Sequence, residues 1–366
     1  MALNRRQWLA GAAVCSVAGM STQVFAEPSV SLEQKIGQML LMGFIGSSPE
    51  TAGALRVAEH LSGRHIGGVL FLRHNVRSRE GAEGSAALFR EADPGAWMAI
   101  DQEGGLVQRL SRDLGYTRIP RASQIVEEYG LDGAERLYTI GAGELRAAGF
   151  NMNLAPVADV HEDGNAVIGR HGRAYGTDGE AISAYASRFI DAFNAHQVAC
   201  VIKHFPGHGR SRGDSHDGFV DITATWSEAE LDPFARLIDS GHAKFIMGGH
   251  LTHQQLDPSG VPVTFSRPIL TGILRDRMGY DGVIMTDDLD MGAIRSHYDP
   301  RSAVIRSIQA GNDVIMMSNS AAPNMDLPQQ FVDWVMQAIE AGEIEEGWIE
   351  ASYQRTGRAK ARFELP

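Results

Sequence analysis

Short, nearly continuous apolar runs recur along the chain, each bounded by glycine or polar turn residues. They occupy residues 40–44, 68–72, 97–100, 152–155, 199–202, 245–247, 283–285 and 314–317. Runs this short, with no polar alternation, read as strands buried on both faces. Between most of them lie stretches with apolar positions three and four apart, at 181–193, 231–238, 269–278 and 303–308, which predict amphipathic helices. Ser31 followed by Gln34, and Ser227 followed by Glu230, have the spacing of helix-capping boxes. Eight strands alternating with helices predict a parallel sheet covered on both sides, and the count favours a single (β/α)8 TIM-type barrel closed by two further helices. An open doubly wound sheet would alternate in the same way. It would also call for a glycine-rich phosphate turn after the first strand, and none is present.

Composition narrows the class. With 43% hydrophobic and 21% charged residues, the 366-residue chain has a globular balance. A net charge of -12 argues against nucleic-acid binding, because neutralising phosphates requires a basic surface. No apolar run after residue 30 is long enough to span a membrane. The first 26 residues stand apart: Arg5-Arg6 precede a weakly apolar stretch, and Val24-Phe25-Ala26 offers small residues for cleavage. This order predicts a twin-arginine-type export signal over 1–26, periplasmic localisation, and a mature catalytic barrel over 27–366. Cleavage would remove two arginines and Cys15, leaving Cys200 unable to form an internal disulfide. A monomer that needs no cofactor and no metal is expected.

Polar residues concentrate where strands end, which in a barrel of this type is where chemistry is done. Run three leads into Asp101-Gln102-Glu103-Gly104-Gly105, run five into Lys203-His204, run six into His250 and run seven into Thr286-Asp287-Asp288. The segment after run five, from Lys203 to Gly218, holds four glycines and a proline and predicts a long loop over the mouth. His204 and His208 have the four-residue spacing of a helical zinc pair, but Pro206 and Gly207 remove the helix. Proton transfer fits better. Asp214 and His216 flank one serine, so in extended backbone the carboxylate lies on the same side as the imidazole and can orient it.

These segments together resemble glycoside hydrolase family 3, in its β-N-acetylglucosaminidase branch. The resemblance rests on Lys203-His204-Phe205-Pro206-Gly207-His208-Gly209 with Asp214-Ser215-His216, and on Tyr280-Asp281-Gly282-Val283-Ile284-Met285-Thr286-Asp287-Asp288. The segments 100–105 and 153–159 add to it. It implies that Asp287 is the nucleophile and His216 the general acid/base supported by Asp214, with Asp288 a rival for the nucleophile. It also implies sugar contacts from Asp101, Arg109, Arg173, Lys203 and His204. The chain departs from the family pattern in having Leu106 where an arginine is common, Arg210-Ser211 where Asp-Thr is common, and a longer stretch between Ile168-Gly169 and Arg173-Ala174-Tyr175. That last departure leaves Arg170 as an alternative to Arg173.

The implied activity is that of a retaining exo-β-N-acetylglucosaminidase acting on carbohydrate, either peptidoglycan fragments or chitin oligosaccharides. A glycosidic bond of this kind breaks through an oxocarbenium-like transition state, which asks for a carboxylate beneath the anomeric carbon and a proton for the departing oxygen. Two other readings remain open. One is phosphorolysis, in which a neutral imidazole would not repel phosphate and Arg210 and Arg212 would attract it. The other is a non-catalytic exported sugar-binding barrel.

Overall fold

The computed structural model describes residues 30–165, 167–213 and 219–366. The expected leader over 1–26 and the pair Asp214 and His216 lie outside these. The eight expected strands are present: β1 (Leu40–Gly43), β2 (Gly68–Phe71), β3 (Trp97–Ile100), β4 (Met152–Asn153), β5 (Ala199–Phe205), β6 (Phe245–Gly248), β7 (Val283–Thr286) and β8 (Ile315–Met317). They pair in parallel in the order β7-β6-β5-β4-β3-β2-β1-β8. A single bridge from Met285 to Val314 brings β7 to β8, so the sheet closes into a (β/α)8 barrel. At this seam side chains add to the few backbone bonds, which include Thr286 N to Val314 O and Val314 N to Ile284 O, both at 3.1 Å. Met316 N donates to Thr286 Oγ1 at 2.9 Å and Ile284 N to Asp313 Oδ2 at 2.9 Å. The two-residue β4 is held in the same way. Asn151 Oδ1 accepts from Met98 N at 2.7 Å, and Asn153 Oδ1 accepts from Gln102 N at 3.0 Å.

Strand alternation divides the apolar residues between two cores. Leu41, Leu70, Ala99, Met152, Val201, Phe245, Met285 and Met316 fill the barrel interior. Their neighbours Leu40, Met42, Val69, Met98, Ile202, Ile246, Ile284 and Ile315 pack outward against the helices. Both faces of each strand are therefore buried, which is why the runs show no polar alternation in sequence. At the base, Trp97 meets Phe245 and Phe363 edge-on, with centroids 5.3 and 6.1 Å apart. Phe363 directly follows the last helix, Glu346–Arg362, in which Ser352 and Arg355 each donate to the buried Asp313 Oδ1 at 2.9 Å. Cys200 is buried and unpaired.

The helices fall where their periodicity places them, with two adjustments. The stretch expected over 269–278 winds as a π-helix, Pro268–Arg277. The box at Ser31 forms in both directions, with Gln34 N to Ser31 Oγ and Ser31 N to Gln34 Oε1. The one expected at Ser227 does not, because no side-chain cap bond forms there. Glu230 turns inward instead and is only 1% exposed, and its carboxyl packs against Gly207.

Candidate active site

A cavity of about 320 Å³ opens at the C-terminal ends of the strands. Most of its polar lining comes from three directions. Asp101 follows β3 directly, and the chain then turns through a hairpin, Gln102–Gly104 with Val107–Gln108, which returns Arg109 beside it. Lys203 and His204 lie within β5, which runs further than expected, to Phe205. Asp287 and Asp288 follow β7.

The first two groups form one ionic chain. Arg109 Nη2 lies 3.0 Å from Asp101 Oδ2, and Lys203 Nζ lies 3.0 Å from Asp101 Oδ1 and 2.8 Å from Glu103 Oε1. Arg173 closes the row with two bonds to Glu103, Nε to Oε2 at 2.8 Å and Nη2 to Oε1 at 2.7 Å. Burial opposes the charge on Glu103 and Asp101, but Arg173 and Lys203 on the first, and Lys203 and Arg109 on the second, hold both carboxyls below their usual range. Burial likewise opposes the Lys203 charge, and the two carboxylates outweigh it. Three cations around two carboxylates leave a preorganised set of donors and acceptors facing the cavity, which suits ligand hydroxyls.

Asp159, fully buried, organises the loop beyond β5. Its Oδ1 accepts from the amides of His204 at 3.1 Å and His208 at 2.8 Å, and its Oδ2 lies 2.7 Å from His204 Nδ1. His204 therefore carries its proton on Nδ1 and turns Nε2 away from Asp159. The His204 and His208 rings stand edge-on, 5.6 Å apart, so a turn achieves the proximity that a helix would have given. Burial and His204 push His208 down to about 4. Asn165 ties the loop down, as its Nδ2 reaches His208 O and Ser211 O and its Oδ1 accepts from the amides of Val167, Ile168 and Gly169. Gly209 passes so close to Val160 that a Cβ there would lie 1.6 Å from the Val160 carbonyl oxygen. Beneath the loop the Glu230 carboxyl is buried, and burial pushes it up to about 8, against Arg210 and the Arg210 and Gly209 amides, which favour its charge.

On the opposite wall Asp288 N donates to Asp287 Oδ1 at 2.8 Å, and His250 Nε2 lies 2.8 Å from Asp288 O. Burial disfavours the Asp287 charge, yet His250 and His204 hold this carboxyl below its usual range. Asp288 differs. Its Oδ1 accepts from Ser318 N at 2.8 Å and Asp290 N at 3.0 Å, and burial pushes it up to about 6. Two neighbouring carboxyls are thus driven apart by their surroundings, one ionised and the other titrating near neutrality.

Asp101, Arg109, Arg173, Lys203, His204 and Asp287 all line this one cavity, as does Asp288. Arg170 faces a separate crevice with Arg121 and His161. Leu106 is 64% exposed at the hairpin turn. Arg210 and Arg212 both engage Glu162, at 3.4 and 2.9 Å. Glu103, Asp159 and His208 were not assigned from the sequence. Glu103 and Asp159 belonged to noted motifs, but their partners, Arg173 and His204, are 70 and 45 residues away.

The fold and the cavity define a (β/α)8-barrel protein with a carboxylate-bearing, hydroxyl-matching mouth. The glycosyl hydrolase family 3 N-terminal domain matches residues 31–359, and the chain belongs to this family. The beta-hexosaminidase A of Pseudoalteromonas piscicida is 29% identical over 375 residues, covering 92% of this chain and 62% of the relative. The beta-hexosaminidase of Pseudomonas aeruginosa is 33% identical over 286 residues, covering 77% of this chain and 83% of the relative. Among solved structures, a family 3 beta-N-acetylglucosaminidase from a Paenibacillus species superposes with a TM-score of 0.81 at 30% identity, over 92% of this chain and 63% of that one. A beta-N-acetylhexosaminidase from Beutenbergia cavernae gives 0.79 at 30% identity, over 90% and 98%. The chain thus spans less than two thirds of some relatives and nearly all of others.

Proposed function

We propose that the protein is a retaining exo-β-N-acetylglucosaminidase. The observation that carries this reading is Asp287: an ionised carboxylate fixed at the end of a buried strand, facing the Asp101–Lys203–Glu103–Arg173 chain across one cavity. In the proposed reaction the ionic chain and Arg109 hold the sugar hydroxyls. Asp287 attacks the anomeric carbon as the glycosidic bond to the leaving group breaks, giving a covalent glycosyl-enzyme. His216, oriented by Asp214, protonates the departing oxygen and then takes a proton from the water that attacks the same carbon, which releases the sugar and frees Asp287.

The names of the similar proteins support N-acetylhexosaminides as the substrate class. Terminal β-linked N-acetylglucosamine of peptidoglycan fragments or chitin oligosaccharides is the proposed substrate, met after export through the leader at 1–26. The phosphorolysis reading is less favoured, since the arginines it would use for phosphate are both engaged by Glu162.

Asp287→Ala is expected to abolish turnover of nitrophenyl N-acetylglucosaminide while retaining binding, and a 2-fluoro glycoside should label Asp287. Label on Asp288, or turnover by Asp287→Ala, would refute the assignment. Sugar phosphate rather than free sugar as product in phosphate buffer would favour phosphorolysis.

A further inference from the structure

A second cavity, of about 560 Å³, lies outside the barrel wall directly behind the catalytic one. The two share a wall. In the segment after β7, Asp287, Asp288 and Met291 face the catalytic cavity, while Leu289 and Asp290 face this groove. In β8, Met316 lines the first and Met317 the second. The far side of the groove is built by Tyr298 and by the helix Leu327–Glu340, through Gln330 and Trp334.

The lining has a hydrogen-bonding set left unused among the described residues. Trp334 is half-buried and its indole N–H has no partner among the described residues. Gln330 accepts from Asn324 through Oε1, at 3.0 Å, which leaves its amide nitrogen open. His297 donates through Nδ1 to Ala293 O at 3.1 Å, so its Nε2 is an acceptor in the neutral ring. The Arg295 Nε lies 4.0 Å from Asp290 Oδ1, a loose pairing that leaves the guanidinium largely unused. Asp290 and Asp299 exceed Arg295 by a single formal charge, so the groove does not select an anionic or strongly charged ligand. Aromatic faces beside open planar donors, in a near-neutral groove within the about 300–1,000 Å³ common for small-molecule sites, match a neutral polyhydroxyl ligand.

We propose that this groove is a second saccharide-binding site, distinct from the catalytic cavity, with Trp334 as its stacking platform and Gln330 and Arg295 as its hydroxyl contacts. It rests on the glycosidase reading for its role: it holds another part of a glycan against the enzyme and raises the local concentration of chain ends.

The test uses a trisaccharide of β-linked N-acetylglucosamine in the Asp287→Ala chain, which prevents hydrolysis. Calorimetric titration is expected to show two sites, of which nitrophenyl N-acetylglucosaminide competes for one. Trp334→Ala should weaken the other site by about tenfold or more. In the chain with Asp287 intact, Trp334→Ala should leave turnover of nitrophenyl N-acetylglucosaminide within about twofold but slow release of sugar from insoluble chitin. Gln330 is exposed on its helix, so Gln330→Ala serves as a variant that cannot unfold the core and should weaken the same site by a few fold. One trisaccharide site, unchanged by both substitutions, overturns the proposal. Failure of the glycosidase reading would show separately, as no turnover in the unsubstituted chain whatever the number of binding sites.

Discussion

Lys203→Met tests the ionic chain that shapes the cavity. The substitution keeps the length of the side chain but removes the ammonium that spans Asp101 at 3.0 Å and Glu103 at 2.8 Å, from a position where the lysine side chain is only 5% exposed. Breaking a buried ion pair typically costs about 3–5 kcal/mol. Each carboxylate keeps one guanidinium, Arg109 for Asp101 and Arg173 for Glu103, which places the expected loss at about 3 kcal/mol, the lower end. A domain stable by about 5–15 kcal/mol remains folded with that loss, so it is measurable by denaturant unfolding followed by tryptophan fluorescence. The pH dependence carries its own sign. Both carboxyls sit below their usual range in the folded chain, so the stability they contribute is full above about pH 4 and is lost as pH falls through their folded values. Without Lys203 they accept protons at higher pH, which relieves the uncompensated charge. The deficit should therefore be largest at pH 7 and narrow toward pH 4. A deficit under about 1 kcal/mol at pH 7, or one constant across that window, would refute the reasoning.

Two further outcomes are expected. His216→Ala should lose about 10²–10⁴-fold in kcat/KM on glycosides with poor leaving groups and much less on nitrophenyl glycosides, and equal losses on both would remove its role as the acid. Asn165→Ala deletes five backbone contacts from a side chain 3% exposed and should destabilise the chain by about 2 kcal/mol, with faster proteolysis near residues 207–213; unchanged proteolysis would show that Asn165 does not hold this loop.

The strands and most helices were legible in the sequence because their signals are local. A strand buried on both faces is apolar along most of its length, and the eight strands show this, with polar residues such as Asn153, Lys203, His204 and Thr286 confined to their C-terminal ends. Glycine and proline after β5 likewise announced a loop. The failure at Ser227 is instructive: the local spacing for a capping box is present, but the space beside Gly207 takes the Glu230 side chain inward instead. Tertiary packing outweighs a cap worth about 1 kcal/mol.

The site divides along the same line. Sequence alone determined that Asp101, Lys203, His204 and Asp287 end up at one mouth, because strand ends of a closed parallel barrel converge whatever the loops do. It could not determine which charges pair. Glu103 acquires Arg173, Asp159 acquires His204, and Asp287 and Asp288 acquire opposite protonation tendencies, only once segments far apart in the chain are desolvated together. It favoured Arg173 but kept Arg170 as an alternative, and the fold separated them by turning Arg173 into the cavity and Arg170 into a different crevice. Periodicity is a property of neighbours along the chain, whereas charge state and ligand geometry belong to neighbours in space, and those exist only after the barrel closes.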